Sequence, residues 1–192
     1  MPKVHKNRGG LIVVDQMIVK SIDDIQSPLL IQNKAGTTIG EFPITGSTLT
    51  TVLSTDVTNN NASADTLADV TGLSFSVTSG YTYWFRAVIF YTSAATTTGS
   101  RWTVNGPSSP TLLSYTSKYT LTETSETVNY ATAYQIPAAS NATSLTAGNV
   151  AVVEGYIKPS ADGIVAIQFA SEVSSSAVVA KAGSMLQYRR VL

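Results

Sequence analysis

Residues 81–91 read YTYWFRAVIFY and alternate without a break. Tyr81, Tyr83, Phe85, Ala87, Ile89 and Tyr91 fall on one side of an extended chain, and Thr82, Trp84, Arg86, Val88 and Phe90 fall on the other. A period of two sustained this long predicts a β-strand and rules out an amphipathic helix. Because both sets contain large apolar groups, the strand is expected to be buried on both sides for part of its length. Runs rich in β-branched and aromatic residues recur at 112–121, 127–134, 149–158, 164–172, 177–181 and 185–191. Turn formers separate them at Asn105-Gly106-Pro107 and Ala147-Gly148-Asn149. Pro159-Ser160-Ala161-Asp162-Gly163 reads as a hairpin loop, since Asp and Gly tolerate the positive φ of tight turns. Short strands at this spacing predict an all-β fold: an antiparallel, jelly-roll-like β-sandwich with very little helix.

The side chains available to such a sandwich are unusual. Ser and Thr number 49 of 192, whereas only 12% of residues are charged and the formal net charge is zero. About a quarter of an ordinary soluble domain is charged. A polar but nearly uncharged surface offers no field to gather nucleic acid or an anionic membrane, so neither is an expected partner. With no Cys, disulfides, thiolate nucleophiles and thiolate metal sites are excluded. The longest aliphatic runs, such as Leu11 to Val14, are far too short to span a bilayer, and Asp15 and Gln16 interrupt the sole signal-peptide candidate, so no signal peptide is expected.

Charge is not spread evenly. Residues 1–20 hold Lys3, Lys6, Arg8 and Lys20 against Asp15, contain no Ser or Thr, and pass through Gly9-Gly10 into Leu11-Ile12-Val13-Val14. A basic, hinged segment of this kind suits ordering against a partner surface, or strand addition to a sheet edge by Leu11 to Val14 or Met17 to Val19. Lys3, His5, Lys6, Arg8, Leu11, Ile12, Val13 and Val14 are its candidate contact residues; covering the domain's own sheet is the competing role. PLLIQNKAGTTIGEF, residues 28–42, reads as a second hairpin, and the polar stretch 55–67, with three consecutive Asn, reads as a linker. The chain is thus divided into an N-terminal arm and small β attachment region at 1–54 and a β-sandwich knob at 68–192.

Candidates for chemistry are few. His5 is the single histidine and lies in the arm, so no base is available to activate a serine, and no G-x-S-x-G elbow occurs. Asp23 and Asp24 are adjacent, and Glu123 and Glu126 are three apart, so in extended chain neither pair shares a face. Glu154, on a face with Val150, Val152 and Tyr156, would be a functional candidate as a buried carboxylate, but a hydrogen-bonded structural role or an edge position is favoured because no second acid lies nearby in sequence. No metal-ligating pattern or phosphate-binding glycine loop is present; no catalytic residue, metal or cofactor is expected, and the chain is read as a non-enzyme. Trp84 beside Arg86, and Arg101 beside Trp102, are candidates for subunit or glycan contact, since aromatic and Arg side chains dominate such surfaces.

GYIKPSADGIVAIQFASEVSSSAVVAKAGSMLQYRRVL, residues 155–192, resembles a C-terminal domain that recurs in virion structural proteins of tailed bacteriophages. The likeness lies in Glu154-Gly155, the 159–163 loop, Phe169-Ala170-Ser171-Glu172-Val173 and Lys181-Ala182-Gly183-Ser184, and it extends upstream through residues 71–107 and 129–140. The resemblance implies a β-sandwich knob displayed as a homotrimer on a virion assembled in the bacterial cytoplasm. It further implies attachment to the major capsid protein or another virion protein through the N-terminal arm. The expected function is therefore capsid decoration, of cement or head-fibre type. The alternative is a tail-fibre or tail-tip protein that binds a host glycan; 192 residues leave no room for a long fibre shaft.

Overall fold

The period-two runs become strands nearly one for one. In a computed structural model of the chain, residues 48–137 and 144–191 are described in full; before them, only the backbone of four short strands is described. Those four are β1 (Val4–Lys6), β2 (Ile12–Val14), β3 (Leu29–Gln32) and β4 (Thr38–Phe42). They form two separate antiparallel pairs, β1 with β2 and β3 with β4, the latter being the hairpin read from 28–42. Residues 1–44 and 45–192 are distinct compact units.

The second unit is an antiparallel β-sandwich, and no helix occurs among the described residues. Its large sheet is built on β8 (Tyr83–Ser93), β10 (Leu112–Thr122), β11 (Ser125–Ala131) and β12 (Asn149–Lys158), in the order β11-β10-β12-β8. Beyond β8, β14 (Val178–Ala180) and β15 (Met185–Arg190) lie end to end along its free edge. They are followed by β6 (Val57–Asn59) on β14 and β5 (Leu49–Val52) on β15. The small sheet has the order β7-β13-β9, from β7 (Ala68–Val77), β13 (Gly163–Ser171) and β9 (Ser100–Asn105).

Three expectations change. Strands β5 and β6 lie in the large sheet, so that sheet begins at Leu49, inside the segments read as attachment region and linker. They are short edge strands whose alternation is too brief to stand out in sequence. The loop 159–163 is not a hairpin: β12 pairs with β8 and β10 and β13 with β7 and β9, so the loop carries the chain from one sheet to the other. Finally, β8 is buried on one face alone: Tyr83, Phe85, Ala87, Ile89 and Tyr91 face the core, while Trp84, Arg86, Val88 and Phe90 remain half-buried or exposed.

The core fills the space between the sheets. Trp102 is fully buried, stacked on Phe169 at 5.1 Å between ring centroids and tilted against Tyr91 at 4.9 Å. Its indole N–H donates to Ser100 Oγ at 2.9 Å, which satisfies a donor that burial would otherwise penalise. Phe75 stacks on Tyr188 at 4.5 Å farther along.

Where β14 gives way to β15, residues 181–184 stand against only Ile89 and Phe90 of β8, since Ala180 pairs with Tyr91 and Met185 with Val88. The sequence accommodates this bulge locally. Gly183 adopts φ +91°, and buried Ser184 supplies a hydroxyl that accepts from Phe90 N–H at 3.1 Å and donates to the Lys181 carbonyl at 2.7 Å. Asp56 ties the neighbouring bend to it by accepting from Ala182 N–H at 2.9 Å and from the Lys181 ammonium. Those contacts hold the Asp56 carboxyl below its usual value, the Lys181 hydrogen bond contributing most.

Candidate functional site

Register across the large sheet fixes which side chains share its outer face. One row runs Tyr130, Thr116, Glu154, Arg86, Gln187, Thr50 from β11 to β5, because Thr116 pairs with Tyr130 and Glu154, and Arg86 with Glu154 and Gln187. The next row runs Val128, Lys118, Val152, Val88, Met185, Val52, with Val150 beside Phe90 beyond it. The outer face therefore carries an apolar band from β12 through β8 to β15 and β5, with Lys118 standing between it and Val128 on β11. Phe90 is 43% exposed, Val150 48% and Val52 55%. Scattered apolar side chains on a surface are ordinary, whereas a contiguous band marks a contact surface.

The charges beside this band are already compensated. Arg86 meets Glu154 directly across the strands at 3.3 Å, and Lys118 meets Glu126 at 3.2 Å. Glu154 is thus a half-exposed side chain paired with Arg86 and not a buried carboxylate. Arg189 lies over the Trp84 ring at 5.4 Å, a cation–π contact that holds the indole on this face.

At the other end of the face, β10 presents the small residues Ser114 and Thr116 between larger neighbours. Tyr130 stands on β11 on one side, and Glu154 and Tyr156 stand on β12 on the other, with Trp84 behind Tyr156 on β8. The result is a trough of about 490 Å³ with a hydroxyl floor and aromatic walls. At its base β10 and β12 approach so closely that a Cβ on Gly155 would sit 2.3 Å from the Ser114 carbonyl oxygen, which requires glycine there.

No family model, curated protein or solved structure matches this chain.

Of the four residues expected at a subunit or glycan contact, the structure brings Trp84 and Arg86 together on the outer face. Trp102 is sealed in the core and reaches no surface, which corrects its assignment. Arg101 is engaged internally: its Nε lies 2.9 Å from both Glu172 Oε1 and Asp65 Oδ1, and the Glu172 side chain is only 6% exposed. This cluster fastens the 60–66 loop to β9, together with Asp65 N–H donating to the Ser171 carbonyl at 2.8 Å. In the arm, Lys3, Arg8 and Leu11 lie outside the described residues. His5 and Lys6 pair with Val13 and Ile12, and Val14 pairs with Val4, so the two arm strands occupy one edge of each other.

Sequence reasoning missed Tyr130, Ser114, Thr116 and Tyr156 as neighbours of Trp84. Alternation gives the face on which each lies, but only the pairing of β11, β10, β12 and β8 sets them side by side. Among the described residues no three His, Cys, Asp or Glu side chains converge as a metal site.

Proposed function

We propose that this chain is a virion structural protein of a tailed bacteriophage: a homotrimeric capsid decoration protein whose N-terminal arm attaches to the capsid and whose β-sandwich is displayed outward. The observation that supports this reading is the apolar band Val152, Val88, Met185 and Val52 with Phe90 and Val150 on the outer face of the large sheet. Water contact makes such a band unfavourable in a lone subunit, at about 25 cal/mol for each Å² of apolar area. The adjoining Arg86–Glu154 and Lys118–Glu126 pairs leave little net charge to desolvate, which fits a face that closes against copies of itself.

Light scattering on the purified chain tests the assembly. The expected mass is about 61 kDa, three times the 20.2 kDa chain, and Phe90→Lys should return it to the monomer with an unchanged circular dichroism spectrum. A wild-type mass near 20 kDa overturns the trimer. Copy number in purified particles tests the place: on the order of hundreds over the head supports decoration, and about a dozen at the tail overturns it in favour of adsorption.

A further inference from the structure

We infer that the trough over β10 is a binding site for a neutral hexopyranose chain. This goes beyond the assembly reading and does not depend on it, because the trough is lined within a single chain: its Tyr156–Ser114–Trp84 row lies two side-chain rows from the apolar band, and its Tyr130–Thr116–Glu154 row adjoins that band. Adjacent strands are about 4.8 Å apart, so the walls on β11 and β12 stand about 10 Å from each other, enough for one sugar ring and too narrow for a second sheet.

The lining matches the two-sided chemistry of a pyranose. Its C–H face is apolar and suits the exposed rings of Tyr130, 80% exposed, and Tyr156, 46% exposed. Its hydroxyl edge needs donors and acceptors, and the floor offers Ser114, Thr116 and, at the mouth, Thr132. None of these three hydroxyls has a hydrogen-bond partner among the described residues, so each is available to a ligand without breaking an internal bond. Glu154 adds carboxylate acceptors at the rim. Its charge is offset by Arg86 at 3.3 Å, so the site carries little field to select an ionised sugar.

A peptide strand is a poorer occupant. Strand addition needs free backbone N–H and C=O groups, whereas β10 lies inside the sheet and is already paired with β11 and β12 on its two edges. Sugar hydroxyls need no such ladder; the side-chain hydroxyls suffice.

The test uses the full chain, ¹⁵N-labelled, titrated with neutral trisaccharides of glucose, galactose, mannose and N-acetylglucosamine up to about 10 mM, the range of weak protein–sugar contacts. At least one should give saturable shifts confined to the amides of residues 114–116, 130–132 and 154–156 and to the Trp84 indole. Tyr130→Ala should weaken that binding about tenfold or more. Because Tyr130 is mostly solvent-exposed, its variant should keep the parent melting temperature. Three results overturn the inference: no saturable shift with any of the four sugars, binding unchanged in both Tyr130→Ala and Tyr156→Ala, or the same shifts produced by raising protein concentration alone, which would put a second copy in the trough.

Discussion

The two sheets turn very different outer faces away from a shared core. On the small sheet, the outward positions are largely short or polar, with Ile164 the exposed apolar exception, and Gln168 donates to Asp69 at 2.7 Å and accepts from Gln135 at 2.9 Å. On the large sheet the outward positions include a set of apolar and aromatic side chains, the cross-strand pairs Arg86–Glu154 and Lys118–Glu126, and the hydroxyls of Ser114 and Thr116, unpartnered among the described residues. Both are faces of antiparallel sheets built from the same Ser- and Thr-rich composition. The small sheet's long polar side chains Asp69, Gln168 and Arg101 find their partners within the chain, while the large sheet presents apolar and aromatic groups whose natural complement lies outside it.

The two tryptophans give the largest test of this contrast. Trp102 fills the core between Tyr91 and Phe169, so Trp102→Ala removes a fully buried indole and leaves a cavity, at a cost of about 3–5 kcal/mol. Trp84 lies half-buried on the outer face, and its chief packing partner is Arg189 at 5.4 Å. Trp84→Ala should cost less than about 1 kcal/mol in a monomeric background. Urea melts of both variants measure the difference, and equal losses would break the distinction between a core and a contact face.

That distinction was present in the sequence, but the residues on either side of each Trp obscured it. Both Trp residues have Arg close by, which drew them together as contact candidates. Their alternation separates them: Trp102 shares its side with Val104, while Trp84 shares its side with Thr82 and Arg86. Strand existence was likewise legible, since 112–121, 149–158 and 185–191 alternate strongly enough to give β10, β12 and β15 within a few residues. Sheet membership was not, because a Pro-to-Gly loop such as 159–163 reads the same whether it reverses within a sheet or crosses between two. The trough was legible only in fragments. Ser114, Tyr130 and Tyr156 are far apart in sequence, and their adjacency is a property of register, which long-range packing fixes.

A smaller effect separates the inner face from the outer through pH. Burial raises the phenol pKa values of Tyr91, Tyr115 and Tyr119, and pushes that of Tyr134 up to about 12. In the unfolded chain these groups ionise near the ordinary 10.0. Below pH 10 both states keep the proton and stability is unaffected. Above it the unfolded chain releases protons that the fold retains, so stability should fall steadily from about pH 10 to pH 12. Melting temperatures across that range measure the decline, and Tyr134→Phe should flatten part of it. A flat profile in the parent chain would mean that the inner phenols are open to water.

The smallest expected effect is the most specific to the outer face. Arg86 and Glu154 meet at a single 3.3 Å contact with both side chains about half exposed, so in a lone subunit a double-mutant cycle with Arg86→Ala and Glu154→Ala should yield only about 0.2–1 kcal/mol. About 0.5 M salt should erase most of that, because exposed charges are screened. If copies of the chain close over this face, water is excluded from the pair, and the same cycle measured on the oligomer should exceed about 1.5 kcal/mol and resist salt. Phe90→Lys supplies the monomeric reference without touching either charge. A coupling that is equally small and equally salt-sensitive in both states would place the Arg86–Glu154 row outside the subunit contact, leaving it to the trough alone.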